Sequence, residues 1–138
     1  MRAHSPSRLE PLVFFLDGNL GKYTIADALR QAGAEVQIHD DHFRQGTPDE
    51  EWLREVGQRR WIVLTKDTQI RYRAPERIAL MQSGVRAFVL VAGNLSGREM
   101  AEVFVKALPA IRRFVTHHNP PFIAKVTRSG AVSMLFRA

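Results

Sequence analysis

Leu12-Val13-Phe14-Phe15-Leu16-Asp17-Gly18-Asn19 is the stretch from which the rest of the chain can be read. An apolar run ends abruptly in a cluster of turn formers. A strand with one solvated face would alternate apolar and polar residues, so an unbroken run predicts a strand buried on both faces. Such strands belong to parallel sheets covered by helices. Working outward, Trp61-Ile62-Val63-Leu64 and Ala87-Phe88-Val89-Leu90-Val91 repeat the pattern, and Glu35 to His39 alternates around Val36 and Ile38.

Helical spacing fills the intervals. Ile25, Ala28, Leu29 and Ala32 recur at one-turn intervals before the stop signal Gly33. Thr47-Pro48-Asp49-Glu50 reads as a helix start, with Thr47 as cap, Pro48 in the first helical position and Glu50 completing a capping box. Trp52, Leu53 and Val56 then form the apolar face. A third helix is expected from about Pro75 to Gln82, and a longer one from about Arg98 to His117, which Pro109 should kink or split. Phe122 to Thr127 and Val132 to Phe136, joined through Ser129-Gly130, read as a β-hairpin. Alternation of this kind predicts an α/β fold, a three-layer α/β/α sandwich with a mostly parallel central sheet plus a C-terminal β-hairpin. Residues 1–10 read as a flexible leader and 11–138 as a single domain.

At 138 residues the chain is long enough to bury a substantial core. It has no cysteine, which excludes disulfides, thiolate zinc sites and cysteine nucleophiles, and suits a reducing compartment. The apolar run near the start is too short for a membrane span, so a cytoplasmic protein without membrane association is expected. The formal net charge of +6 favours an anionic partner such as nucleic acid or an acidic protein.

Three aspartates carry the chemistry. Asp17 follows the first buried strand and Asp67 follows the third, so both stand at the carboxyl edge of the sheet. Asp49 opens the helix leading into that third strand, and this helix begins at the same edge. Ligands of open α/β sheets bind beyond that edge. Converging carboxylates resist ionising together, and a hard dication such as magnesium or manganese relieves the repulsion. An ion so held can clamp a phosphodiester for hydrolysis. Each aspartate also has an ordinary explanation as a turn former or a helix-dipole partner. Asn19 either orients Asp17 or belongs to the turn, and Thr65 either hydrogen-bonds a carboxylate or ends the strand.

The segments Phe14-Phe15-Leu16-Asp17-Gly18-Asn19-Leu20, Thr47-Pro48-Asp49-Glu50-Glu51-Trp52-Leu53 and Val63-Leu64-Thr65-Lys66-Asp67 resemble the PIN-like domains, in the branch related to VapC-type toxins. The resemblance covers the chain from about residue 12 to the final hairpin. It implies a metal-dependent endoribonuclease using Mg2+ or Mn2+, neutralised in many members by an antitoxin protein. By position, Asp17, Asp49 and Asp67 match the family's acidic metal ligands. The chain departs from the pattern at Gly18 and Gln69, where relatives often carry acids. Gln69 can still hydrogen-bond but brings no charge, and a site short of an acid holds one metal better than two.

Lys66, Arg71, Arg73 and Arg77, with Tyr72 among them, place positive charge where an RNA backbone would run. Tyr72 is suited to stack on an unpaired base. Arg112, Arg113, His117 and His118 read better as a solvated helix end. Lys125, Arg128 and Arg137 on the hairpin would extend an RNA surface or a homodimer contact. Two other readings stay open: a binding module on the same fold, favoured by Gly18 and Gln69, and a phospho-acceptor domain, disfavoured by the lack of an adjacent acid pair after the first strand.

Overall fold

Phe14 and Leu16 point to one face of a sheet and Phe15 to the other, and all three are fully buried. That double burial is what the opening apolar run demanded. The structure, a computed structural model, describes residues 11–137; the proposed leader lies outside them. The strands are β1 (Val13–Leu16), β2 (Glu35–Ile38), β3 (Ile62–Thr65), β4 (Arg86–Leu90), β5 (Phe122–Val126) and β6 (Val132–Arg137). The helices are α1 (Thr24–Gln31), α2 (Asp49–Gln58), α3 (Ala74–Gln82) and α4 (Gly97–His117). Short 3-10 turns cover Gly18–Leu20, His39–Asp41 and Ile70–Tyr72.

The sheet order is β2-β1-β3-β4-β5-β6. The first five strands are parallel and β6 is antiparallel to β5. One core joins Phe14, Leu16, Ile62, Leu64 and Phe88 to Ile25 and Leu29 of α1 and Phe104 and Ile111 of α4. The other joins Phe15, Val63, Ala87 and Val89 to Trp52, Leu53 and Val56 of α2 and Ala79 and Leu80 of α3. The expected sandwich and hairpin are therefore present. At Gly57 of α2, an added Cβ would stand 2.5 Å from the carbonyl oxygen of Ser83, so glycine is what lets α2 lie close to the end of α3.

Two local expectations need correction. Helix α2 starts one residue later than its supposed capping box requires: Pro48 occupies the cap position, with no side-chain cap bond. Thr47 instead donates its hydroxyl to the carbonyl of Arg44 at 2.7 Å. Asp49, Glu50 and Glu51 in the first turn complement the helix dipole in place of a cap. The reciprocal capping box belongs to α4, between Ser96 and Glu99. Nor does Pro109 split α4, which is continuous from Gly97 to His117. Pro109 lies on an exposed face, where water can satisfy the carbonyl that loses its helical donor.

The chain leaves β1 for β2 on one side and comes back to place β3 on the other. The order thus reverses between β1 and β3, and the crevice at their carboxyl ends is the ligand position of doubly wound sheets. No helix among the described residues is long and apolar enough to cross a membrane.

Candidate active site

The backbone N–H of Asp17 donates to the carbonyl of Leu64 at 3.0 Å, which fastens the end of β1 to the end of β3. Asp17 therefore stands at the reversal point. Thr65, the last residue of β3, is fully buried. Its hydroxyl donates to Oδ2 of Asp17 at 2.8 Å and accepts from the backbone N–H of Asp67 at 3.0 Å. A buried hydroxyl with both roles filled has no rotational freedom left, so one side chain locks two aspartate positions. Asn19 reinforces it: Nδ2 donates to Thr65 Oγ1 at 3.1 Å, while Oδ1 accepts from the backbone N–H of Lys66 at 3.4 Å.

Asp49 arrives on the first turn of α2. Trp52, almost completely buried, donates its indole N–H to Asp49 Oδ1 at 2.9 Å. An apolar residue that the periodicity assigned to the core thereby also aims a carboxylate. Burial raises the Asp17 carboxyl above its ordinary range, the Thr65 hydrogen bond opposes this, and the charge of Asp49 pushes it further upward. The Asp49 charge acts on Asp17 in the way expected of two acids sharing one site.

Asp67 has a different environment. Its Oδ1 accepts from the backbone N–H of Gln69 at 3.0 Å, and its Oδ2 is paired with Arg73 Nη2. Arg73 also pairs through Nε with Glu76, a buried acid on α3. The carboxylates thus divide into two sets, Asp17 with Asp49, and Asp67 with Glu76 bridged by Arg73. Among the described residues, no three His, Asp or Glu side chains are arranged to hold a metal ion together.

The supporting and basic residues sort accordingly. Asn19 and Thr65 act as orienting groups, whereas Gln69 contributes its backbone and leaves its side chain exposed. Lys66 is exposed beside the crevice. Arg71 lies over the ring of Tyr72 at 4.6 Å, and Arg77 points to the carbonyl of Arg71. Tyr72 is 60% exposed. Arg73, read from sequence as an RNA contact, is already engaged by two carboxylates, because it lies within one helical turn of Glu76 and close behind Asp67.

Two residues escaped the sequence reading. Glu76 sits three and four positions before the buried Ala79 and Leu80, so an acid on the apolar face of α3 was the available signal. His39 is 9% exposed, and its ring lies 3.8 Å from where a Cβ on Gly18 would be. Its charge acts on Asp17 in the opposite sense to that of Asp49. Nothing in the alternating pattern of β2 marked it. The second basic group lies elsewhere: Arg112 covers Phe14 and His118 stacks on Phe114, toward the far end of α4. A cavity of about 620 Å³ also lies at that opposite pole, between Leu12, Arg60, Trp61, Arg86 and His118. It contains none of the aspartates.

Comparison with known proteins adds three findings. The model of the family described as "PIN like domain" matches residues 12–92. A protein of Mycobacterium tuberculosis (strain ATCC 25618 / H37Rv), described as "Putative ribonuclease VapC45", is 29% identical over 125 residues, covering 88% of this chain and 90% of that protein. No solved structure matches the chain.

Proposed function

The chain belongs to the PIN-like domain family, and from that premise we propose that it is a metal-dependent endoribonuclease, the toxin of a toxin–antitoxin pair. The observation that carries the reading is the pair Asp17 and Asp49, two carboxylates close enough to repel, each with an oxygen fixed by a neutral donor from the protein. Two acids and several waters are a sufficient donor set for Mg2+ or Mn2+. The relative described as a ribonuclease spans nearly the whole chain and supports the substrate class.

The chain's residues divide the work as follows. Asp17 and Asp49 would hold the dication, while Asp67, paired with Arg73, would stand beside it at the neighbouring strand end. When bound, the ion supplies Lewis-acid polarisation of a phosphodiester oxygen and neutralises charge as the P–O bond is hydrolysed. Thr65 and Asn19 keep Asp17 in one rotamer, and Trp52 does the same for Asp49, so the acids need little rearrangement to bind. Lys66 offers charge to the RNA backbone, and the exposed Tyr72 offers an aromatic ring to an unpaired base. An antitoxin would act by covering this edge.

The test is cleavage of single-stranded RNA in manganese, with Asp17→Asn as control. Cleavage by the wild type and none by the variant is the expected result. A second reading, a binding module with weakened catalysis, is favoured by the pairing of Asp67 with Arg73 and by Gly18. It predicts salt-dependent RNA binding with the RNA left intact in manganese.

A further inference from the structure

We propose that Arg73 is the second cation of this site: its guanidinium takes the place on Asp67 and Glu76 that a second metal ion would otherwise occupy, so the chain works with one dication. The inference rests on the metal-dependent ribonuclease reading and deepens it.

The argument starts from charge balance. Asp17 and Asp49 together match the charge of one dication. Asp67 and Glu76 form a second acidic pair, and the side chains are only 20% and 11% exposed. Carboxylates so well buried need a partner. Arg73 supplies it to both, through Nη2 to Asp67 and Nε to Glu76. A metal at Asp67 would have to displace the Arg73 guanidinium, which already neutralises both carboxylates. Asp67 also has its other oxygen occupied by the Gln69 backbone N–H. The extra acids that could recruit a second ion are missing at Gly18 and Gln69. The absence of any three-ligand cluster among the described residues agrees with a site divided in this way.

The same geometry gives Arg73 something to do. A guanidinium has five N–H donors in a planar fork, and the two carboxylates use only part of them. The Arg73 side chain remains 41% exposed. Its free donors can therefore meet a phosphate oxygen, supplying the fixed positive charge that a second metal would supply.

The decisive measurement is manganese stoichiometry on the full chain, by calorimetry and by the electron paramagnetic resonance signal of the ion. The wild type should bind one Mn2+ per chain. Arg73→Gln should acquire a second, because Asp67 and Glu76 lose their counter-charge. Arg73→Lys should stay at one. Two ions of similar affinity on the wild type would overturn the inference and leave the ribonuclease reading standing, as would Arg73→Gln remaining at one ion. If Arg73→Gln fails to fold by circular dichroism, the wild-type count and Arg73→Lys decide. No manganese binding at all by the wild type would instead defeat the metal-dependent reading itself.

Discussion

Thr65 donates its hydroxyl to Oδ2 of Asp17 at 2.8 Å across the seam between β3 and β1, and the same hydroxyl oxygen receives the backbone N–H of Asp67 at 3.0 Å. One buried hydroxyl therefore ties together two acids that lie far apart along the chain. Thr65→Val keeps the shape but leaves the Asp67 N–H unsatisfied and releases Asp17. We expect about 1–3 kcal/mol of lost stability and at least about tenfold weaker manganese binding. Thr65→Ser should recover most of the binding. Urea melts and calorimetry on both variants check this; unchanged manganese affinity in Thr65→Val would remove the orienting role.

The raised carboxyl of Asp17 fixes the sign of a pH effect in metal-free protein. Burial makes the folded state hold its proton more tightly than the unfolded chain does. Stability from this group is then full below the ordinary carboxylate range, falls as pH rises from there through the folded value, and stays reduced above it. Asp17→Asn should therefore melt higher than the wild type at about pH 7 in a chelator, with the difference closing toward about pH 3. Manganese should reverse the order at neutral pH: at roughly a hundredfold excess over the dissociation constant, only the wild type gains about 2.7 kcal/mol.

Gly18 has room for a side chain. Its φ is not in the left-handed range, and a Cβ there meets the His39 ring at an ordinary contact distance of 3.8 Å. Gly18→Asp adds an acid beside Asp17 and should tighten manganese binding by about tenfold, since ligand charge count tunes such sites. Calorimetry against the wild type reads it directly, and weaker binding would mean that the new carboxylate points away from the crevice.

Trp52 joins the core to the site. Trp52→Phe retains most of the buried ring but removes the 2.9 Å hydrogen bond that aims Asp49. The expected outcome is a stability loss of about 1 kcal/mol from the hydrogen bond, together with a severalfold loss of manganese affinity. A loss of stability with no change in affinity would make Trp52 purely a core residue.

Gly57 tests the packing of α2 against the end of α3. Its added Cβ would lie 2.5 Å from a backbone oxygen that cannot rotate away, so Gly57→Ala should cost about 1–3 kcal/mol by overpacking. Chemical denaturation measures it. A neutral result would mean that the two helices can separate without loss.

Much of this protein was determined by local sequence. The unbroken runs around Phe15, Val63 and Phe88 required strands covered on both faces, and the helical spacing between them required the covering layers. Asp17 and Asp67 fell at strand ends for the same reason, because a buried run must stop where the chain meets water. Tertiary structure decided the partners of those acids. That Thr65 would face Asp17, that Trp52 would turn its N–H to Asp49, and that Arg73 would settle on Asp67 and Glu76 all depend on which strand lies beside which and how the helices pack across them. Periodicity specifies which face of an element is buried, but hydrogen bonds and ion pairs form only between atoms that the whole fold has brought within reach.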